Sequence, residues 1–140
     1  MKETEKAKNL LDGKITFAVV GKKGIYTSEK RGVAPIIEKI DTDPDFFKGA
    51  SAADRVIGKA AAMLLEKYGV SEIYAKVTSK YAVAYLNDKK TGLTYDIKVD
   101  HIINRSGTGM CPMEKAVLNV NNADEGEKLI RDTINSMMKG

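Results

Sequence analysis

The sequence predicts an α/β fold, with helices packed on a sheet that is part antiparallel and part parallel. Three observations lead there. An apolar, β-branched run over 15–20 is followed by the turn Gly21-Lys22-Lys23-Gly24 and a second short run over 25–27, the pattern of an antiparallel hairpin. Helix-patterned and strand-patterned segments then alternate, which favours parallel strands joined by helical crossovers. The 140 residues contain no repeat, low-complexity tract or linker. One domain over 1–140 is therefore expected, with 1–13 as an N-terminal helix and 14–140 as the core.

Each element has its local reason. Residues 2–12 carry Ala7, Leu10 and Leu11 on one side, and Gly13 supplies the stop of a first helix. Residues 33–40 make a short helix that tolerates Pro35 in its first turn, followed by an acidic loop over 41–49. Residues 51–68 read as one long buried helix. Ser51 and Asp54 stand as a capping box, Ala60-Ala61-Ala62-Met63-Leu64-Leu65 is apolar all round, and Gly69 ends it. A strand over 72–77 leads to a helix over 78–86 capped by Thr78 or Ser79, and 95–99 is the next strand. A polar, glycine-bearing loop over 104–110 precedes a short helix opened by Pro112. The last helix starts at Asn122 or Ala123, with Asn122 and Glu125 as a box, and runs to about Met138.

Composition narrows the function classes. A hydrophobic fraction of 43% argues against disorder, and a net charge of +4 permits anionic ligands without demanding nucleic acid. The six tyrosines do not interleave with a basic stripe as a nucleic-acid platform would need. One Cys and one His cannot build the usual zinc cages, so neither a metal nor another cofactor is expected. The charged residues 1–6 lack the apolar segment of a signal peptide, and the apolar run over 60–65 is far short of the roughly 20 residues of a membrane span. The cytoplasm is the expected compartment.

In an α/β sheet, ligands gather beyond the carboxyl ends of the parallel strands, near the starts of the following helices. Three segments suit that position: Gly49-Ala50-Ser51-Ala52-Ala53-Asp54, Val77-Thr78-Ser79-Lys80, and the stretch from Asn104 to Pro112. Each offers small polar residues and free backbone N–H groups where the helix dipole favours negative charge. Ser51, Thr78, Ser79, Asn104, Gly107, Thr108 and Gly109 are the candidate ligand-binding residues, with Lys59, Lys80 and Arg105 as the cations. Lys59 is either a snorkelling side chain or a functional amine with a depressed pKa. Cys111, the expected N-cap before Pro112, is a candidate nucleophile or else an inert packed thiol. Asp54 is a candidate general base or simply part of its capping box. His101 reads as structural.

Two motifs carry a resemblance. The stretch from Gly49 to Ala62, together with Ile103-Asn104-Arg105-Ser106-Gly107-Thr108-Gly109-Met110-Cys111-Pro112-Met113-Glu114, resembles the DUF1893 family, an uncharacterised prokaryotic family, over roughly residues 15–131. That family is similar in fold to the cytidine deaminases, which implies a three-layer α/β/α sandwich around a mixed sheet. The deaminases place a His or Cys two residues before a Glu at one helix start and Pro-Cys-x-x-Cys at the next. By order of elements these should fall on Ala52-Ala53-Asp54 and around Thr78-Ser79-Lys80-Tyr81, where no zinc ligand stands. Cys111-Pro112 lies one element later. Without zinc the activated hydroxide of deamination is lost.

The resulting expectation is a zinc-less deaminase-like domain that binds a small anionic ligand, a nucleotide or sugar-phosphate, at converging helix starts. An enzyme using Cys111, with Asp54 or His101 as proton carrier, is the alternative. A non-catalytic homo-oligomer built on the terminal helix, through Ile130 and Ile134, is the third reading.

Overall fold

The computed structural model describes residues 2–104 and 106–139. In chain order the elements are α1 (Glu3–Asn9), β1 (Phe17–Gly21), β2 (Gly24–Ser28), α2 (Ala34–Thr42), β3 (Ser51–Ile57), α3 (Lys59–Lys67), β4 (Glu72–Ser79), α4 (Lys80–Leu86), β5 (Gly92–Val99), α5 (Pro112–Ala116) and α6 (Ala123–Lys139). The five strands form one sheet in the order β2-β1-β3-β4-β5. β1 is antiparallel to both β2 and β3, while β3, β4 and β5 run parallel. The mixed α/β architecture expected from the hairpin and the alternation is the one observed.

Two apolar cores sit on the two faces of the sheet. The larger joins Phe17, Val19, Ala52 and Ile73 to residues of α2, α3, α4 and α6, with Ile36, Leu64 and Ile130 fully buried. The smaller joins Val20, Ala53 and Tyr74 to Ala7, Leu10 and Leu11 at α1. Consecutive residues therefore serve opposite cores, as the twofold period of a strand requires. Ile130 belongs to the larger core and Ile134 packs against it, so this stripe of α6 is spent within the monomer.

The helix expected over 51–68 is instead a strand, an extended Gly58 and a shorter helix. Ser51 and Asp54 form no capping box. Both lie in β3, where Ser51 pairs with Val20 and Glu72, and Asp54 pairs with Phe17 and Ala75. Alanine favours helix, but this segment is covered on both faces by apolar cores and flanked by strands on both edges. Tertiary burial of small side chains outweighs the local preference. Other boundaries move less. The helix expected to end at 40 continues through Thr42, and the strand expected from 95 begins at Gly92.

Candidate functional site

The parallel strands β3 and β4 end side by side, Ile57 paired with Thr78. Each passes directly into a helix, β3 through Gly58 into α3 and β4 through Ser79 into α4. Ser79 is the N-cap expected of it, its Oγ accepting the Ala82 N–H at 3.2 Å. Thr78 donates its hydroxyl to the Ile57 carbonyl at 2.7 Å, locking the two strand ends together. The helix starts thus converge at one edge of the sheet.

The group found there belongs to the chain itself. Glu114, on α5 and 1% exposed, projects its carboxylate into the junction. Its Oε1 accepts the backbone N–H of Lys59 at 2.9 Å and the Ser79 hydroxyl. Its Oε2 accepts the Ile102 N–H at 2.6 Å. Three donors on three segments satisfy one buried carboxylate, which is how a protein carries such a charge inside. Gly58 makes the approach possible: a Cβ there would lie 3.2 Å from Glu114 Oε1 and 3.0 Å from Ile102 Cγ1.

Lys59 is the first residue of α3 and is 4% exposed, so its amine does not snorkel to water. Nζ donates to the Leu118 carbonyl at 3.0 Å and to Asn121 Oδ1 at 3.3 Å, tying α3 to the connection between α5 and α6. Burial holds its pKa below the usual lysine value, opposed by the Glu114 charge.

The other expected site residues scatter. Ser51 lies at the opposite end of β3, where its Oγ pairs with Thr4 Oγ1 at 3.1 Å; Thr4 also donates to Glu72. Asp54 is mid-strand rather than at a helix start, 6% exposed, and its Oδ1 accepts the Val56 N–H at 3.2 Å. Burial raises its pKa to about 7, against the pull of the Val56 and Arg55 amides and the Arg55 charge. Lys80 is exposed, with its amine 5.3 Å from the Tyr81 ring centroid.

The loop after β5 bonds mainly to itself. Asn104 N–H donates to Gly109 O at 2.8 Å, Asn104 Oδ1 accepts the Thr108 N–H at 3.0 Å, and Gly107 turns the chain with φ +72°. Arg105 lies outside the described residues. Cys111 is half-buried at the N-cap of α5, and no hydrogen bond joins its thiol to an acid or base among the described residues. Nor do the described residues hold a group of three or more His, Cys, Asp or Glu side chains placed to take a metal.

Glu114 is the residue that sequence reasoning missed. It stands in a stretch that looks like an ordinary solvated helix turn, and only the tertiary fold brings Gly58, Ser79 and Ile102 around it. The opposite face of the sheet holds a shallow groove of about 460 Å³ lined by Lys8, Leu11, Arg55, Tyr74, Lys76 and Asp96. There Tyr74 donates to Asp96 Oδ2 at 2.6 Å; burial and then the Asp96 carboxylate raise the phenol pKa to about 12.

A mixed five-stranded sheet with one helix on one face, the remaining helices on the other and polar groups convergent at the ends of the parallel strands defines a layered α/β protein. Within that class, the chain belongs to the family described as "TM1506: Domain of unknown function (DUF1893)", whose model matches residues 5–134. The family indicated by the two sequence motifs is thus the one found. Among solved structures, the chain is similar to the crystal structure of a DUF1893 family protein (TM1506) from Thermotoga maritima. The identity is 30% and the TM-score 0.74, over 87% of this chain and 80% of that one. Curated proteins yield no match. No described helix is long and apolar enough to cross a membrane.

Proposed function

We propose that this chain is a zinc-less, cytidine deaminase-like domain that binds a small anionic ligand, a nucleotide or sugar-phosphate, where α3 and α4 begin. The observation that carries this reading is the Glu114 carboxylate held by Lys59 N–H, Ser79 Oγ and Ile102 N–H. Those three donors already satisfy a pair of anionic oxygens. A phosphate or carboxylate ligand presents the same chemistry and competes with Glu114 for the same donors. The internal carboxylate then acts as a stand-in that leaves when the ligand enters, and α5 moves with it.

Two features support the deaminase-like part. The strand order places an antiparallel β1 beside three parallel strands. Because Ala52-Ala53-Asp54 lie within β3 and α3 begins only at Lys59, the first of the places where the zinc enzymes carry His and Cys moves from that triplet to Gly58-Lys59-Ala60, while the second stays at Ser79-Lys80-Tyr81. With neither residue type at those starts, binding rather than hydrolytic deamination is the activity that fits.

Titration with nucleotides and sugar-phosphates, read by thermal shift and by amide NMR, tests the proposal. The Lys59 and Ile102 amides should move together and saturate, with a rise in melting temperature. No response to any of these ligands at millimolar concentration, or shifts that spare both amides, overturns it.

A further inference from the structure

We propose that a second copy of this chain docks on the free edge of β5, so that two sheets join antiparallel across a two-fold axis passing through Ile97. β5 is the last strand of the sheet and spans eight residues, whereas the strand at the opposite edge, β2, spans five. Among the described residues its only strand partner is β4, and α4 packs on its inner side. Long free edges are normally blunted by proline, by a bulge, by like charges or by a covering element. β5 has no proline, and its two charges, Asp96 and Lys98, are of opposite sign. Tyr95 and Ile97 stand 40% and 51% exposed on it.

The sequence of the strand is complementary to itself in one register. With Ile97 facing Ile97 of the second copy, Tyr95 faces Val99, and Asp96 faces Lys98 twice over, once on each side of the axis. Directly opposed residues share a sheet face, so the apolar pairs lie together on one face and the two ion pairs on the other. Centring the axis on Asp96 or on Lys98 instead sets like charges against each other, which disfavours those registers. A two-fold axis makes the contact isologous and closes it at two copies. One strand pair buries little area, so the dimer should dissociate on dilution.

Sedimentation equilibrium of the full chain between about 1 μM and about 1 mM tests this. The mass should rise with concentration from 15.3 kDa to twice that value. Lys98→Glu and Asp96→Lys each set like charges across the axis, so each variant alone should dimerise at least about tenfold more weakly. Mixed in equal amounts, the two variants face each other with opposite charges throughout and should recover association, with circular dichroism confirming that both are folded. A wild-type chain that stays monomeric throughout overturns the proposal. So does a dimer indifferent to both substitutions, or a mixture of folded variants that does not associate.

Discussion

Glu114 Oε1 lies 2.9 Å from the amide nitrogen of Lys59, joining residues 55 apart in the chain and placing a carboxylate at the positive end of α3. The same oxygen receives the Ser79 hydroxyl at the start of α4, so one side chain caps α3 and holds the residue that caps α4. Removing it strands two buried donors and one part-buried donor. Glu114→Ala should cost about 3 kcal/mol of folding free energy. Glu114→Gln should cost about 2 kcal/mol, because its amide NH₂ would face the Ile102 N–H. Urea denaturation at neutral pH measures both, and a loss below about 0.5 kcal/mol for Glu114→Ala would show the junction to be dispensable.

Gly58 and Gly126 both allow close approaches, with different consequences for alanine. At Gly58 the new methyl meets Glu114 Oε1 and Ile102 Cγ1, groups fixed by the hydrogen bonds around them. Gly58→Ala should destabilise by about 1–3 kcal/mol and be strongly non-additive with Glu114→Gln in a double-mutant cycle. At Gly126 the methyl meets Met63 Cε at 2.6 Å, the far end of a flexible thioether, while the helix gains propensity. Gly126→Ala should therefore lie within about 1 kcal/mol of wild type. Equal losses at the two sites would contradict this account.

Asp54 makes stability fall as pH rises. Its folded pKa of about 7 exceeds the ordinary 3.8 because burial opposes the charge. Between those values the folded chain holds a proton that the unfolded chain releases, so the contribution is full below about pH 4 and is lost as pH climbs through 7. Asp54→Asn removes the charge. It should match wild type near pH 4 and exceed its stability by up to about 3–4 kcal/mol at pH 8. Parallel denaturation curves at the two pH values decide it; an unchanged difference between them rules the coupling out.

Glu127 works in the opposite direction. Burial alone would raise its pKa, but Lys67, the Tyr68 hydroxyl and Arg131 bond its carboxylate and bring it to about 2. The folded value lies below the unfolded one, so the stability is present above about pH 4.5 and is lost as pH falls through 2. Glu127→Gln should cost about 1–2 kcal/mol at pH 7 and almost nothing at pH 2, which acid titration of the two proteins compares. A constant penalty across that range would point to packing instead of charge.

Legibility in the sequence followed the range of the forces involved. The hairpin at Gly21–Gly24, the Ser79 cap and the Asn122 cap, whose Oδ1 accepts the Glu125 N–H at 3.0 Å, are local events, and local patterns announced them. The segment of β3 reads as helix because Ser51 to Asp54 are small and buried on both faces, which erases strand alternation and leaves only alanine's helical preference. The β-branched Val56-Ile57 ahead of Gly58 was the available sign of a strand ending at a glycine. Converging helix starts were expected, but with the first at Ser51, at the opposite end of β3 from the Lys59 start that is observed. Their occupation by Glu114 was not expected, since no local pattern distinguishes an inward carboxylate from a solvated one.

The loop around Gly107 meets its own polar needs through Asn104, Thr108 and Gly109, and asks little of the body beneath it. Among its described residues from Asn104 to Gly109 no hydrogen bond reaches another element, so chain inserted at Gly107 should leave the fold intact. It is the natural place to graft a tag or reporter, and equally a place where sequences of different lineages can drift in length while the fold stays put.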